Sequence, residues 1–67
     1  MLYFVQAKIT IRVWGISGPF IETVTKLVNA HSTGEAKSKF EQHVRQLFAH
    51  MQAEEYRFDY ITIADTI

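Results

Sequence analysis

The sequence contains no cysteine, only one proline and only three glycines among its 67 residues. Without cysteine the chain has no disulfide framework and no thiolate ligand for zinc. The scarcity of proline, with a 48% share of hydrophobic residues, is unlike the composition of disordered chains. We therefore expect one folded domain over residues 1–67, with a single modest core.

An excess of charge of either sign is also missing, since seven basic residues balance seven acidic ones. A chain of zero formal charge has no overall field to draw it to nucleic acid or anionic lipid. The longest apolar tract, residues 1–5, is too short to span a membrane and lacks the pattern of a signal peptide. The sequence favours a complete, cytoplasmic chain without membrane association.

Apolar and polar residues alternate over residues 2–14, which predicts a first strand with one buried face. Turn-forming residues at positions 15–19 then predict a hairpin. The side chains expected to be buried are Tyr3, Val5, Ala7, Ile9, Ile11 and Val13.

A second strand is expected over residues 20–30, which are rich in β-branched side chains. Its alternation is imperfect, because Val24 and Val28 fall on one parity and Ile21 and Leu27 on the other. A β-bulge near residues 25 and 26 (Thr25 or Lys26) would reconcile the two halves.

Ser32 followed by Glu35 matches a capping box and predicts a helix over residues 33–52. Acid-first pairs at a spacing of four, Glu35 with Lys39 and Glu41 with Arg45, would support it. One apolar stripe runs along this helix: Ala36, Phe40, Val44, Leu47, Phe48 and Met51.

A third strand is expected over residues 56–64, buried through Ile61 and Ile63. A helix that crosses back over the hairpin would deliver this strand beside the first one, on the side away from the second. The fold class predicted is α+β, a ββαβ domain with strand order 2-1-3 and one helix on one face.

The residue types that could act as nucleophiles already have structural roles in the predicted fold. Ser17 belongs to the turn and Ser32 to the helix cap, and no base is placed beside either. His43 and His50 are two helical turns apart, too far to share a metal as residues spaced by four do. The glycines form no nucleotide-binding motif. We expect no enzyme activity, no cofactor and no metal.

The predicted sheet face away from the helix holds the candidate binding residues Lys8, Thr10, Arg12, Trp14 and Tyr60. Aromatic and basic side chains on such a face can stack single-stranded bases. The same residue types are also enriched at protein interface hot spots. A solvated face with incidental aromatic residues is a further possibility. Further neighbours expected on this face are Thr23, Thr25 and Phe58.

A set of spaced residues carries a resemblance to two groups of proteins: Gly18-Pro19-Phe20, Glu22, Val24, Ala30, Ser32, Glu35, Ala36, Ile61 and Ile63. The chain resembles small bacteriophage-encoded orphan proteins of ββαβ pattern, which implies an accessory protein that binds and inhibits a host or viral protein. It is similar to archaeal ribosomal protein LX, an RNA-binding family, but lacks that family's basic excess.

The sequence therefore favours a non-catalytic interaction module whose partner is a protein. Single-stranded nucleic-acid binding ranks second, and a purely structural homo-oligomer third. Self-association as a homodimer or higher homo-oligomer is also expected, because the domain is small, neutral and covered by its helix on one face only.

Overall fold

A computed structural model describes residues 1–65 of the chain. Its elements are β1 (Leu2–Val13), β2 (Phe20–Asn29), α1 (Thr33–Leu47), a short 3-10 helix (Ala49–Met51) and β3 (Ala53–Asp65). The predicted ββαβ order and the strand order β2-β1-β3 are confirmed. The predicted domain extends to residue 67, and its last two residues lie outside the described part.

Among the strands of residues 1–65, β1 is the central one, because both of its edges are paired. It runs antiparallel to β2 and antiparallel to β3. Its alternation holds as predicted: the side chains of Val5, Ala7, Ile9 and Ile11 have no exposed surface and Tyr3 is buried with them, whereas Val13 is only partly buried. Burying one face of β1 fixes its register, because a slip by one residue would turn every apolar side chain to solvent.

The predicted bulge in β2 is wrong. The pairing of β2 with β1 is regular from Leu2 opposite Asn29 to Ile11 opposite Phe20. Consequently Val24 and Val28 face the helix, whereas Ile21 and Leu27 project from the opposite face, each 54% exposed. Apolar side chains therefore project from both faces of β2, and the single helix covers only one of these faces.

Register irregularities lie instead in β3, one at Ile61 and a second at Glu54, between the partners of Arg12 and Val13. Ala7 is opposite Tyr60 and Gln6 is opposite Thr62, so Ile61 has no partner on β1. One extra residue reverses the parity of a strand. Ile61 is 58% exposed, which contradicts its predicted burial, whereas Ile63 packs against the core.

Helix α1 begins as predicted, with the Ser32 Oγ accepting from the Glu35 amide at 3.2 Å. The predicted pair of Glu35 and Lys39 forms at 3.1 Å, and the Lys39 hydrogen bond lowers the pKa of Glu35. The helix ends at Leu47, earlier than predicted, and Gln52 with φ of 51° turns the chain into β3. Its buried side chains are Ala36, Phe40 and Val44.

The hairpin between β1 and β2 depends on two glycines. Gly15 and Gly18 have φ of 78° and 82°, values that side-chain-bearing residues rarely adopt. The Ile16 amide donates to the Val13 carbonyl at 3.3 Å and closes the first part of this turn. The turn carries Trp14 beyond the end of β1.

Candidate functional site

The helix covers one face of the sheet and leaves the other uncovered. We call this second surface the open face. Its membership follows from the strand registers and from the bulge at Ile61. The open face comprises Leu2, Phe4, Gln6, Lys8, Thr10 and Arg12 of β1, Ile21, Thr23, Thr25 and Leu27 of β2, and Glu55, Arg57, Asp59, Ile61, Thr62 and Ala64 of β3.

One end of the open face is apolar. Phe4 lies between Leu27 on β2 and Ala64 on β3, and Leu2 follows along β1. Leu2 is 39% exposed, and Leu27 and Ile61 are more than half exposed. Exposed apolar side chains grouped in this way are typical of an interaction surface rather than of scattered surface residues.

The other end of the open face is charged, and four of its five charged side chains form two ion pairs. Arg12 lies 4.0 Å from Glu55, and Arg57 lies 3.6 Å from Asp59. Lys8 is opposite Asp59 in the register. Both ion pairs are solvent-exposed, so each contributes roughly 0–1 kcal/mol to stability. Three basic side chains face two acidic ones, and no strong field of one sign results.

Two shallow depressions lie near Arg12, towards the hairpin turn. The first, of about 130 Å³, is lined by Thr10, Arg12, Pro19, Glu55 and Arg57. The second, of about 200 Å³, is lined by Arg12 together with residues of the turn at positions 16, 18 and 19. Both have too little enclosure to bury a small molecule, but they give the charged end a contour that side chains of a partner could occupy.

The structure brings together three of the five predicted site residues. Lys8, Thr10 and Arg12 project from β1 onto the open face as expected. Trp14 lies outside the sheet, in the hairpin turn, and is 82% exposed. Tyr60 does not belong to the open face, because its partner is Ala7, whose side chain is buried beneath the helix. That prediction is wrong.

Tyr60 belongs to an aromatic row that seals the helix against β3. The rings of Tyr56, Phe58 and Tyr60 stack along the strand with centroids 6.3 Å apart. Phe40 of the helix packs against two of them, with centroids 6.5 Å from Phe58 and 6.0 Å from Tyr60. The predicted neighbour Phe58 is therefore also absent from the open face.

Charged side chains of α1 cover this aromatic row. The Lys37 ammonium is 5.2 Å from the Tyr60 centroid, and the Arg45 guanidinium is 5.3 Å from that of Phe58. The predicted ion pair of Glu41 with Arg45 is absent from the salt bridges of residues 1–65. Glu41 instead accepts a hydrogen bond from the Tyr60 hydroxyl. Burial first, and then this hydrogen bond, raise the pKa of Tyr60. The aromatic rings of β3 and the basic side chains of α1 thus form cation–π contacts with each other inside the molecule.

Sequence reasoning missed Leu27, Ile61, Glu55 and Arg57 as members of the open face. Strict alternation through β2 identifies Leu27 once the assumed bulge is removed. Glu55 and Arg57 would follow from a correct parity for β3. Ile61 offers no such indication, because nothing in the residues around it marks the bulge.

Within residues 1–65, no group of three or more histidine, aspartate or glutamate side chains is arranged to hold a metal ion. The helices of this part of the chain are too short or too polar to cross a lipid bilayer. No protein-family model matches the sequence, and no curated protein or solved structure matches it at a significant level.

Proposed function

We propose that the chain is a small, non-catalytic module that binds a protein through its open face. The observation that carries this proposal is the exposed apolar end around Phe4, with Leu27 and Ile61 on either side of β1. Interfaces between proteins commonly combine an apolar centre with a polar rim. The charged end of the open face, with its two shallow depressions, would form such a rim.

The distribution of charge favours a protein over a nucleic acid as partner. Phosphate binding requires basic side chains that are free to replace condensed counterions. On the open face Arg12 and Arg57 already have acidic neighbours. Tyr60 and Phe58, which would have stacked bases, face the helix instead. The open face therefore offers little support for nucleic-acid binding.

Three further elements belong to the proposal. The phage-like pattern favours an accessory protein that inhibits the host or viral protein it binds. A cytoplasmic location follows from the sequence expectations. Self-association as a homodimer or higher homo-oligomer suits a domain of this size with an uncovered face.

A binding comparison tests the proposal. Wild-type protein is used to capture partners, and a captured protein is purified and titrated against wild type and Ile61→Ser. Gln46→Ala, on the exposed side of the helix, is the matched control. We expect Ile61→Ser to weaken binding about tenfold or more and Gln46→Ala to leave it unchanged.

Equal affinity of all three proteins would contradict binding through the open face. A titration with single-stranded oligonucleotides at several salt concentrations completes the test. Tight binding that falls steeply with salt would identify nucleic acid as the ligand and overturn the proposal.

A further inference from the structure

Within residues 1–65, the outer edge of β2 is a long row of backbone groups without a neighbouring strand. Paired residues in an antiparallel ladder alternate between those that bond each other and those that point their backbone groups away. The Ala30 amide donates to the Met1 carbonyl at 2.9 Å, which fixes the even-numbered residues of β2 as those bonded to β1. The odd-numbered residues therefore direct N–H and C=O outwards.

The last outward residue, Asn29, already has a hydrogen-bond partner. The Lys39 ammonium of the helix donates to the Asn29 carbonyl at 2.8 Å. The four remaining outward residues are Ile21, Thr23, Thr25 and Leu27. Exposed strand edges are usually blunted by proline, by a bulge, by brevity or by charged side chains, and the two charged residues of β2, Glu22 and Lys26, are of opposite sign. Residues 20–29 contain no proline, pair without a bulge and extend over 10 residues.

We propose that the β2 edge binds the β2 edge of a second copy, antiparallel, about a two-fold axis at Val24. In this register Ile21 pairs with Leu27 of the other copy, and Thr23 with Thr25. All four outward residues then exchange backbone hydrogen bonds, and the two three-stranded sheets become one sheet of six strands. The self-association named in the proposed function is thereby given a defined interface.

Charge complementarity selects this register. Glu22 and Lys26 are exposed on the helix side of β2, where each projects beside a residue of β1 but contacts no ion-pair partner among the salt bridges of residues 1–65. With the axis at Val24, Glu22 of each copy lies opposite Lys26 of the other, giving two cross-strand ion pairs. An axis at position 22 or 26 would instead oppose two like charges, which destabilises a pair of strands.

Neighbouring registers are also less favourable. An axis at Thr23 places Glu22 opposite Val24, and an axis at Thr25 places Lys26 opposite Val24. Either shift removes both ion pairs and also separates Ile21 from Leu27. Only the axis at Val24 combines the two ion pairs, the pairing of Ile21 with Leu27 and hydrogen bonds for all four outward residues.

Charge reversal tests this interface directly. Glu22→Lys alone opposes lysines, and Lys26→Glu alone opposes glutamates, so each variant should dimerise about tenfold more weakly than wild type in sedimentation velocity. An equimolar mixture of the two variants is fully complementary, because both cross-strand pairs then join opposite charges. We expect the mixture to form a heterodimer with the affinity of the wild-type dimer.

Cysteine cross-linking provides a second readout in a chain that has no cysteine of its own. Val24→Cys would place two thiols in a directly opposed pair, with Cα atoms about 4.5 Å apart, within disulfide range. Thr23→Cys is the control, because its counterpart in the other copy is displaced along the strand beyond that range. Oxidation should link the first variant and not the second.

A wild-type monomer at high micromolar concentration would overturn the proposal, as would a dimer that both charge reversals leave unaffected. Neither result bears on the open face as a binding surface, because Glu22 and Lys26 lie on the helix side of the sheet. Ile61→Ser tests the open face alone, so failure of one proposal is distinguishable from failure of the other.

Discussion

The Tyr60 hydroxyl donates a hydrogen bond to the Glu41 carboxylate and joins the edge strand β3 to the helix. Together with the ring contact between Tyr60 and Phe40, this bond holds the Tyr60 side chain on the helix side of the sheet. Stability measurements on Tyr60 therefore report on the attachment of β3.

Tyr60→Phe should lower the free energy of unfolding by about 1 kcal/mol, the usual net contribution of one hydrogen bond. Denaturant titration measures this change. Tyr56→Phe is the matched control, because the Tyr56 hydroxyl donates to the Phe48 carbonyl over 3.4 Å, a long and weak hydrogen bond. An effect of Tyr56→Phe as large as that of Tyr60→Phe would contradict the assignment.

The same hydroxyl predicts a dependence of stability on alkaline pH. Burial and the bond to Glu41 raise the pKa of Tyr60 in the folded state above its ordinary value of 10.0. Its contribution to stability should be complete below pH 10 and decline as the pH rises further, because the unfolded state loses the proton first. In Tyr60→Phe this part of the alkaline decline should be missing when unfolding is compared with wild type across the same pH range.

The helix cap gives a further prediction. Ser32→Ala removes the acceptor for the Glu35 amide and should cost about 0.5–2 kcal/mol. Ser38→Ala, at an exposed position inside the helix, should cost nothing and should slightly stabilise the protein, because alanine is the better helix former. Equal effects in denaturant titration would mean that the Ser32 cap does not stabilise the helix.

The bulge predicts different outcomes for two isoleucines that lie two positions apart. Ile63→Ala should destabilise the protein by about 1–2 kcal/mol, because Ile63 packs against the core. Ile61→Ala should change stability by less than about 0.5 kcal/mol, because its side chain is mostly exposed. Thermal unfolding of the two variants, measured side by side, would reveal an unbulged strand if the order of effects were reversed.

Trp14 is the only tryptophan, and it offers a spectroscopic check of the hairpin turn. Because its side chain is 82% exposed, its fluorescence maximum should shift little when the protein is unfolded in denaturant. A large red shift would show that Trp14 is buried in the native protein. Trp14→Ala should likewise leave stability nearly unchanged.

The central strand and the helix start could be predicted from sequence because several physical requirements agree there. Strand β1 is buried on one face along its length, so the period of two is visible in residues 3, 5, 7, 9 and 11. Ser32 and Glu35 combine a cap with an acid in the first helical turn. Competing interpretations of these segments would bury polar groups.

The faces of the two edge strands were harder to predict. In β2 apolar residues occupy both faces, so parity alone does not separate the covered side from the open one. In β3 the aromatic residues at positions 56, 58 and 60 could serve a core or an exposed surface equally well. Their burial is decided by contact with Phe40 and by Arg45 and Lys37 above the rings, contacts between segments far apart in the sequence.

The central position of β1 imposes an order on folding during synthesis. The β1–β2 hairpin can pair once residue 29 has emerged from the ribosome, but Phe40 has no ring to pack against until residues 58 and 60 follow. Until then the edge of β1 that pairs with β3 stays without its partner, although β1 is made before β3. Assembly must therefore wait for a distant segment, which slows folding and leaves the nascent hairpin open to foreign strands.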